Sequence, residues 1–594
     1  MEQDEPAARE RLWPILLTYW LIASTILILV SKTTIQMLDF GDPDDAMRLL
    51  EVHDWLAGQS WWDVSQHRLW GGHFAMHWSR LVDLPLAGGM ALLDPLVGKE
   101  LSNRITLTAI PLLSLLGIMA LVGLITRRLA GTGVARLAIL LSPLTIPLMA
   151  QIRPTRIDHH AWQVILALAA VAALLARPTA RSGAIAGAAL AALLTISLEG
   201  MPITAAILGT ASLTWALIPA RRAQLVAMAA SLPVVLLLLH VTTRGPGALL
   251  PACDAIAPAW LAAIGIGVGG ILLTAAIAPR SLIARLALLG AAGLAAAAAL
   301  RGLAPLCTRG PFATLDPLVY RYWYLRVEEG LPIWDQSVLK AVVMLVLPVI
   351  GLVGSTLAWR ASRGETRICW AMLIGLTLSA LALCLLVLRA GVTANALALP
   401  GAAWLVAQLV DRTRNGSTPA RRIAAGAGAL VALTPAWLGS TLIGSLTPAG
   451  HAVAVTRMER PTCLFLDEVP HLTRLPAAIM FTPLDLAPSL LAHTAHSAIA
   501  AGYHRNDRAM HDVIAGFMDP PDEAKSIILA SDASYLVACP GADETERYKR
   551  VAPTGLWARL ERGERFDWLQ PVDLHGTILV WRVLRRLPSG SHGR

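Results

Sequence analysis

The chain is 594 residues long, 55% hydrophobic and 15% charged, with a mean hydropathy of +0.58. A soluble domain of that length does not carry so many apolar runs, so the composition excludes a soluble globular protein and indicates a polytopic membrane protein. The net charge of +9 does not signal nucleic acid, because the Arg residues sit mostly between apolar runs, where they set orientation.

The first apolar run, Trp13 to Ile35, is long and lacks a small-residue cleavage site, so it reads as a retained helix rather than a signal peptide. Directly after it stands Asp39-Phe40-Gly41-Asp42-Pro43-Asp44-Asp45-Ala46-Met47-Arg48, with four carboxylates in seven positions. Carboxylates this close raise one another's pKa unless a cation neutralises them, and the usual cation is a hard divalent metal. The plainer alternative is a solvated loop in which Asp42 or Asp44 caps a helix beginning near Pro43. The segment from Trp55 to Arg80 then interleaves Trp55, Trp61, Trp62, Trp70 and Trp78 with His53, His67, His73, His77, Arg68 and Arg80. An interfacial Trp belt accounts for much of this, and Trp beside Arg and His also makes a floor for sugars or headgroups. Leu84 to Val97 is a candidate for a segment that dips into the membrane.

Apolar runs of membrane-spanning length give about thirteen helices. They are predicted near 13–35, 101–125, 134–152, 159–176, 183–198, 200–218, 223–241, 256–278, 282–303, 338–359, 368–388, 390–410 and 423–445. Arg9/Arg11, Arg127/Arg128, Arg177/Arg181, Arg221/Arg222, Arg280/Arg285, Arg360/Arg363/Arg367 and Arg412/Arg414/Arg421/Arg422 fall on every second connection. That alternation makes those loops and the N-terminus cytoplasmic and puts the opposite connections, including the Asp42 loop, outside. From about Gly450 polar residues return between short apolar runs such as Ser526–Ala530 and Thr577–Trp581, as in a small mixed α/β domain on the outer face. The expected division is therefore a membrane domain over 1–449, with a first outer loop 36–83 and a late outer loop 304–336, followed by an α/β domain over 450–594.

Cys253, Cys307, Cys463 and Cys539 fall outside by this topology, and Cys253–Cys307 and Cys463–Cys539 are candidate disulfides in an oxidising exterior. Four free thiols are the alternative.

Charge near lipid is costly and usually serves a purpose. Arg153-Pro154-Thr155-Arg156-Ile157-Asp158-His159-His160 opens the fourth span from outside, and Asp158 and His160 flank one residue, so both can reach a shared cation. Carboxylate plus imidazole suits Mn²⁺ or Zn²⁺ better than Ca²⁺; an N-cap Asp beside interfacial His is the alternative. Glu328 and Glu329 lie in the late outer loop, either as metal ligands or as solvated charges. Arg389, where two spans turn around outside, is suited to a lipid-carrier phosphate or to simple snorkelling. Glu199, beside Gly200 at another outer turn, is either a substrate contact or a helix-end charge, and reads rather as the latter. The sequence contains no Ser/His/Asp triad context, no Walker loop and no dinucleotide-binding glycine pattern.

An acidic motif in the first outer loop, a second motif at the fourth span, a Glu in a late outer loop, about thirteen spans and an outer C-terminal domain together resemble the C-type (GT-C) glycosyltransferases. The nearest likeness is to catalytic subunits of oligosaccharyltransferases. Asp42-Pro43 with Arg48 resembles that family's first motif, Asp-Pro…Arg, and Asp158-His159-His160 resembles the Asp-His-His motif of its archaeal members. The resemblance implies a GT-C-like helical bundle and an inverting transferase that takes a sugar from a polyprenyl-phosphate- or diphosphate-linked donor with the help of Mn²⁺ or Mg²⁺. It implies Asp42 as the central carboxylate, which binds metal and orients or activates the acceptor. Asp44, Asp158, His160 and Glu328 or Glu329 complete the metal ligands, and Arg389 neutralises the leaving phosphate. Arg48, Trp78, Arg80 and His159 are the expected substrate contacts. The family's Trp-Trp-Asp-Tyr-Gly acceptor motif has no counterpart in the C-terminal domain; Trp61-Trp62-Asp63 matches it in part, in the wrong place. The acceptor is therefore left open among a lipid, a glycan and a protein, and the polar segment Gly502–Arg508 is a candidate to face the site. The expected setting is a bacterial inner membrane with the site on the periplasmic side. A lipid or polysaccharide transporter or flippase, and a non-catalytic assembly subunit, are the competing readings; a transporter places ionisable groups near mid-membrane, whereas the spans here are clean at their centres.

Overall fold

The structure is a computed structural model that describes residues 12–71, 75–415, 418–433 and 463–585. His73, Arg9, Arg11 and the second half of the expected last span lie outside the described residues. In chain order the helices are α1 (Trp13–Val30), α2 (Lys32–Met37), α3 (Pro43–Leu56), α4 (Arg80–Val97), α5 (Lys99–Leu141) and α6 (Ile146–Ala150). They continue with α7 (His160–Leu174), α8 (Ala180–Ile196), α9 (Met201–Leu217), α10 (Arg222–Arg244), α11 (Pro258–Ile277) and α12 (Leu282–Leu303). After α13 (Pro317–Tyr322) come α14 (Val338–Ala361), α15 (Gly364–Leu386), α16 (Gly391–Asn415) and α17 (Pro419–Leu433). Among the described residues, nine helices are long and apolar enough to cross a membrane, and α7 and α8 are shorter apolar helices. The chain is a multi-pass membrane protein.

Each expected span up to 390–410 coincides with helix. The second and third spans are joined in α5 and separated only by Gly131, whose φ of 83° breaks the helical path. The stretch 84–97 belongs to α4, which starts on a Ser79 cap.

The chain divides into two compact units. The first takes Met1–Ile35, Trp78–Pro311 and Glu328–His451; the second takes Gln36–His77, Phe312–Val327 and Ala452–Arg594. The second unit thus includes most of the first outer loop and part of the late loop, beyond the single C-terminal stretch expected from 450 onward.

The membrane unit is held by close helix contacts that only small residues permit. A Cβ on Gly354 would meet Gly401 O at 2.0 Å, and one on Gly401 would meet Gly351 O at 2.1 Å, so α14 and α16 pack backbone to backbone. Gly183 and Gly187 do the same for α8 against α10. α8 begins with a reciprocal cap: Thr179 Oγ1 accepts from Ser182 N, and Ser182 Oγ accepts from Thr179 N, both at 3.2 Å. Cations at connections of the predicted cytoplasmic set meet one another's elements. Arg221 pairs with Glu365, and Arg285 Nη1 donates to Ala216 O at 2.8 Å.

The second unit is built on a five-stranded sheet in the order β2-β1-β3-β5-β4, with β1 Ile479–Phe481, β2 Ser497–Ala498, β3 Tyr535–Ala538, β4 Leu569–Pro571 and β5 Leu579–Val583. β1 is parallel to β2 and β3, and β5 is antiparallel to β3 and β4. Phe481, Phe517, Leu536, Trp557 and Trp581 form its apolar core. The apolar run Ser526–Ala530 is helical, within Pro521–Ala530, because it fills one face of an amphipathic helix rather than a strand.

The first outer loop adds to the free edge of β2. Ala498 N donates to Arg68 O, Trp70 N to Ala498 O and Gly71 N to Ile499 O, at 3.0, 2.8 and 2.8 Å. Gly71 is required there, since a Cβ would stand 2.3 Å from Ala509 Cβ. The Arg68 guanidinium, substantially buried, donates to the carbonyls of Leu491, Thr494 and His496. Cys253 is bonded to Cys307 in the first unit, and Cys463 to Cys539 in the second; Cys369 and Cys384 are free and buried.

Candidate functional site

In the membrane unit the candidate site begins at the entry to α7. The preceding turn is strained: Thr155 has φ of 70°, outside the range a β-branched residue favours. Thr155 N donates to Leu107 O at 3.0 Å, and Arg156 Nη2 to Gln151 Oε1 at 2.7 Å. This tied-down turn delivers Asp158, His159 and His160 together, all three about 6% exposed. Asp158 Oδ1 lies 2.6 Å from His159 Nδ1, and Asp158 Oδ2 lies 3.3 Å from His160 Nε2.

Three further connections converge on the same point. Glu199 sits in the one-turn link Leu198–Gly200 between α8 and α9, and its Oε2 lies 3.7 Å from His159 Nε2. Glu329 lies in the turn Glu328–Gly330, with Oε1 3.6 Å from His160 Nε2. Arg389, in the turn between α15 and α16, joins the two acids, with Nη2 2.6 Å from Glu199 Oε1 and Nη1 3.3 Å from Glu329 Oε1. Leu388 N donates to Leu331 O at 3.0 Å, which ties the Arg389 turn to the Glu329 turn. Gln163 links His160 to Glu199, with His160 Nδ1 3.2 Å from Gln163 Oε1 and Gln163 Nε2 donating to Glu199 Oε2 at 3.3 Å.

The electrostatics follow from this packing. Burial alone would raise the Glu329 carboxyl, but His160, which also hydrogen-bonds it, and the Arg389 cation outweigh burial and hold it down to about 2. Three carboxylates are thus interleaved with two imidazoles and one guanidinium, with Asp158 and both histidines buried and Glu199 and Glu329 about a third exposed. Donor atoms of Asp158, His159 and His160 lie within 4.8 Å of one another. Mixed carboxylate and imidazole donors at that spacing fit a divalent transition metal, with Glu329 and Glu199 at hand as further oxygen donors.

Of the two late-loop acids, only Glu329 joins this cluster. Glu328 points to solvent and pairs with Lys340. Trp78 and Arg80 are buried, at 3% and 1% exposed, and Arg80 Nη1 donates to Asp83 Oδ2 at 3.2 Å.

In the second unit the Asp42 motif is a helix start. Asp42 caps α3, with its Oδ1 accepting from Asp44 N at 3.0 Å and Pro43 at the first helical position. Asp45, Arg48 and Glu51 are buried on the same helix, which packs against the helix Ala487–His493. Asp485 lies on the surface near Asp42, and partial desolvation by its neighbours, with Asp543 and Asp42 as like charges, raises its carboxyl above the ordinary range against the pull of Arg547. Tyr503 is buried, and burial together with the nearby Asp44, Asp42 and Glu51 charges raises its phenol well above the ordinary range. Trp61-Trp62-Asp63 forms a local turn in which Asp63 accepts from Ser65 N at 3.0 Å and pairs with His67 at 2.8 Å.

Residue-by-residue reading singled out Asp158, His159, His160, Glu329 and Arg389 but took Glu199 for a helix-end charge and passed over Gln163. The signal for Glu199 was its side: it lies on an outer connection, as the rest of the cluster does.

This architecture, a bundle of membrane helices with a small mixed-sheet unit, has the fold of a solved archaeal oligosaccharyltransferase. The archaeal oligosaccharyltransferase AglB from Archaeoglobus fulgidus, in complex with an inhibitory peptide and a dolichol-phosphate, superimposes with a TM-score of 0.63 over 97% of this chain and 75% of that one, at 14% identity. The apo form of the Archaeoglobus fulgidus oligosaccharyltransferase gives 0.58 over 89% and 70%, at 15% identity. The form in complex with Zn and sulfate gives 0.56 over 95% and 73%, at 14% identity. No protein-family model matches the sequence, and no curated protein matches it.

Proposed function

We propose that the chain is a membrane glycosyltransferase that moves a sugar or oligosaccharide from a polyprenyl-phosphate- or diphosphate-linked donor to an acceptor on the outer face of a bacterial inner membrane. The observation that carries this reading is the convergence of Asp158, His159, His160, Glu199, Glu329 and Arg389 from four connections of the GT-C fold. The archaeal enzyme of the same fold has been seen with dolichol-phosphate and with Zn and sulfate, which supports a lipid phosphate as ligand and a divalent cation as cofactor, here Mn²⁺ or Mg²⁺.

In this reading Asp158 and His160 hold the cation, with Glu329 as the late-loop ligand. A bound divalent cation there supplies Lewis-acid stabilisation of charge on the departing phosphate. His159 is oriented by its 2.6 Å contact with Asp158 and serves the substrate side. Arg389 is positioned by Glu199 and Glu329 so that its guanidinium presents a fixed fork to phosphate oxygens. Asp42, fixed as the cap of α3, takes the acceptor role that the family resemblance gives the first carboxylate, with Asp44 beside it as a further metal ligand. The inverting outcome and the periplasmic side rest on the resemblance and on the Arg alternation.

The test is sugar transfer from a panel of radiolabelled polyprenyl-linked donors by purified protein, beside the Asp42→Ala variant and a strain carrying it. Release of lipid phosphate by the wild type and its loss in the variant support the reading. No turnover with any donor, together with normal surface glycans in the Asp42→Ala strain, overturns it in favour of transport or assembly.

A further inference from the structure

Gln163 lies three residues beyond His160 in α7, and residues at that spacing share a helix face. Its side chain therefore runs beside the His160 ring and reaches the link Leu198–Gly200, which carries Glu199. His160 Nδ1 stands 3.2 Å from Gln163 Oε1, and Gln163 Nε2 stands 3.3 Å from Glu199 Oε2. The direction of these bonds follows from the other partner of Glu199. Glu199 Oε1 is 2.6 Å from Arg389 Nη2, an ion pair that holds Glu199 as a carboxylate, and a carboxylate only accepts. The Gln163 amide must then turn its NH₂ to Glu199 and its carbonyl to His160, since the flipped amide would set two acceptor oxygens against each other. His160 Nδ1 is accordingly the donor of that bond. The ring's Nε2 looks the other way, 3.3 Å from Asp158 Oδ2 and 3.6 Å from Glu329 Oε1.

We propose that Gln163 is a positioning residue for His160: its carbonyl, oriented through Glu199, takes the Nδ1–H bond and aims Nε2 at the point where the Asp158 and Glu329 oxygens meet. This role rests on the cation site of the proposed function and not on sugar transfer. A ring held only at Nε2 can rotate about its outer side-chain bond, whose torsion is broad, and a second bond at Nδ1 removes that freedom. A metal-ligating imidazole gains orientation, a fixed tautomer and basicity when its other N–H is given to an acceptor. An amide supplies that acceptor without adding charge to a cluster that already holds three carboxylates. Because Glu199 dictates which way the amide turns, the effect of Gln163 on His160 depends on that carboxylate.

The test is Mn²⁺ binding to the full-length protein in detergent after chelation, with free Mn²⁺ counted by electron paramagnetic resonance. Gln163→Met keeps the length of the side chain and its helix propensity but loses both bonds. It is expected to weaken Mn²⁺ binding by about 10-fold to 100-fold. It should also alter the nitrogen modulation that a ligating imidazole gives bound Mn²⁺ in spin-echo spectra. In the Glu199→Gln background the same substitution should cost clearly less, because a neutral amide at 199 no longer orients Gln163. If the melting temperature shows that Gln163→Met does not fold, Gln163→Ala takes its place with the same expectations. Wild-type affinity in the variant, unchanged nitrogen modulation, or losses that multiply in the double variant overturn the proposal, as does a wild type that binds no Mn²⁺. The expected binding pattern in a protein with no turnover on any polyprenyl-linked donor supports the role of Gln163 and overturns the transferase reading alone.

Discussion

Two carboxylate clusters in this protein, one around buried Asp158 and one around buried Glu544, resolve the same electrostatic problem in opposite ways. In the membrane unit, Asp158, Glu199 and Glu329 are interleaved with His159, His160 and Arg389, so each acid has a cation or imidazole within 3.7 Å. Glu329 is accordingly held down to about 2. In the second unit, Glu544 is buried beside Asp485. It accepts from Leu484 N at 2.9 Å, from Asp485 N at 2.8 Å and from the Tyr548 hydroxyl. Those three donors do not offset burial and the Asp485 charge, and the Glu544 carboxyl is pushed up to about 8. Hydrogen bonds to Glu544 leave that buried acid, beside a second carboxylate, holding a proton, whereas matched cations leave carboxylates ionised and available as ligands. This difference separates a candidate metal centre from a structural acid pair.

The largest effect is expected from removing the cation that matches the first cluster. Arg389→Ala leaves Glu199 and Glu329 without their shared guanidinium, and sugar transfer should fall by about 10²-fold to 10³-fold, a loss of some 3–4 kcal/mol of transition-state stabilisation. Arg389→Lys should recover part of it, because a lysine restores charge without the fork. Next, Glu329→Gln should weaken Mn²⁺ binding, measured calorimetrically, by roughly 10-fold to 100-fold. Glu328→Gln loses only an exposed pair with Lys340 and should leave binding within about twofold. Equal losses in the two variants would erase the distinction between the late-loop acids.

The smallest effect concerns the second cluster and pH. Glu544 has a folded-state pKa raised from 4.5 to about 8, so the native state binds the extra proton. Its contribution to stability is full below about 4.5 and is lost as pH rises through about 8. The melting temperature of the second unit should therefore fall across that window. In Glu544→Gln it should start lower, because the amide cannot accept all three donors, and change less between pH 5 and 8. A wild-type melting temperature that climbs over the same range would contradict the assignment.

Much of this was legible in the sequence because membrane insertion imposes simple rules. Span length located α1, α5, α7 to α12 and α14 to α16, and the alternation of Arg pairs put Asp158, Glu199, Glu329 and Arg389 on one set of connections before any contact was known. Hydropathy could not choose between Glu328 and Glu329, since the choice depends on which face a single turn presents. It placed Trp78 and Arg80 in a polar segment, but their burial is set by the Ser79 cap and the Asp83 pairing. The reach of the first outer loop into the sheet of the second unit was not legible either: pairing between Arg68–Gly71 and β2 joins residues more than four hundred positions apart, and a two-residue strand leaves no period to read.

The account's central claim is that the cluster at the start of α7 is a metal centre for sugar transfer. The measurement that tests it most directly is release of polyprenyl phosphate as a function of Mn²⁺ concentration, after chelation, in wild type and Asp158→Ala. The account predicts saturable activation of the wild type and, in Asp158→Ala, turnover reduced by about 10³-fold or more, as expected when several kcal/mol of charge stabilisation are removed. Full activity in chelator, or an Asp158→Ala enzyme that responds to Mn²⁺ as the wild type does, would contradict it.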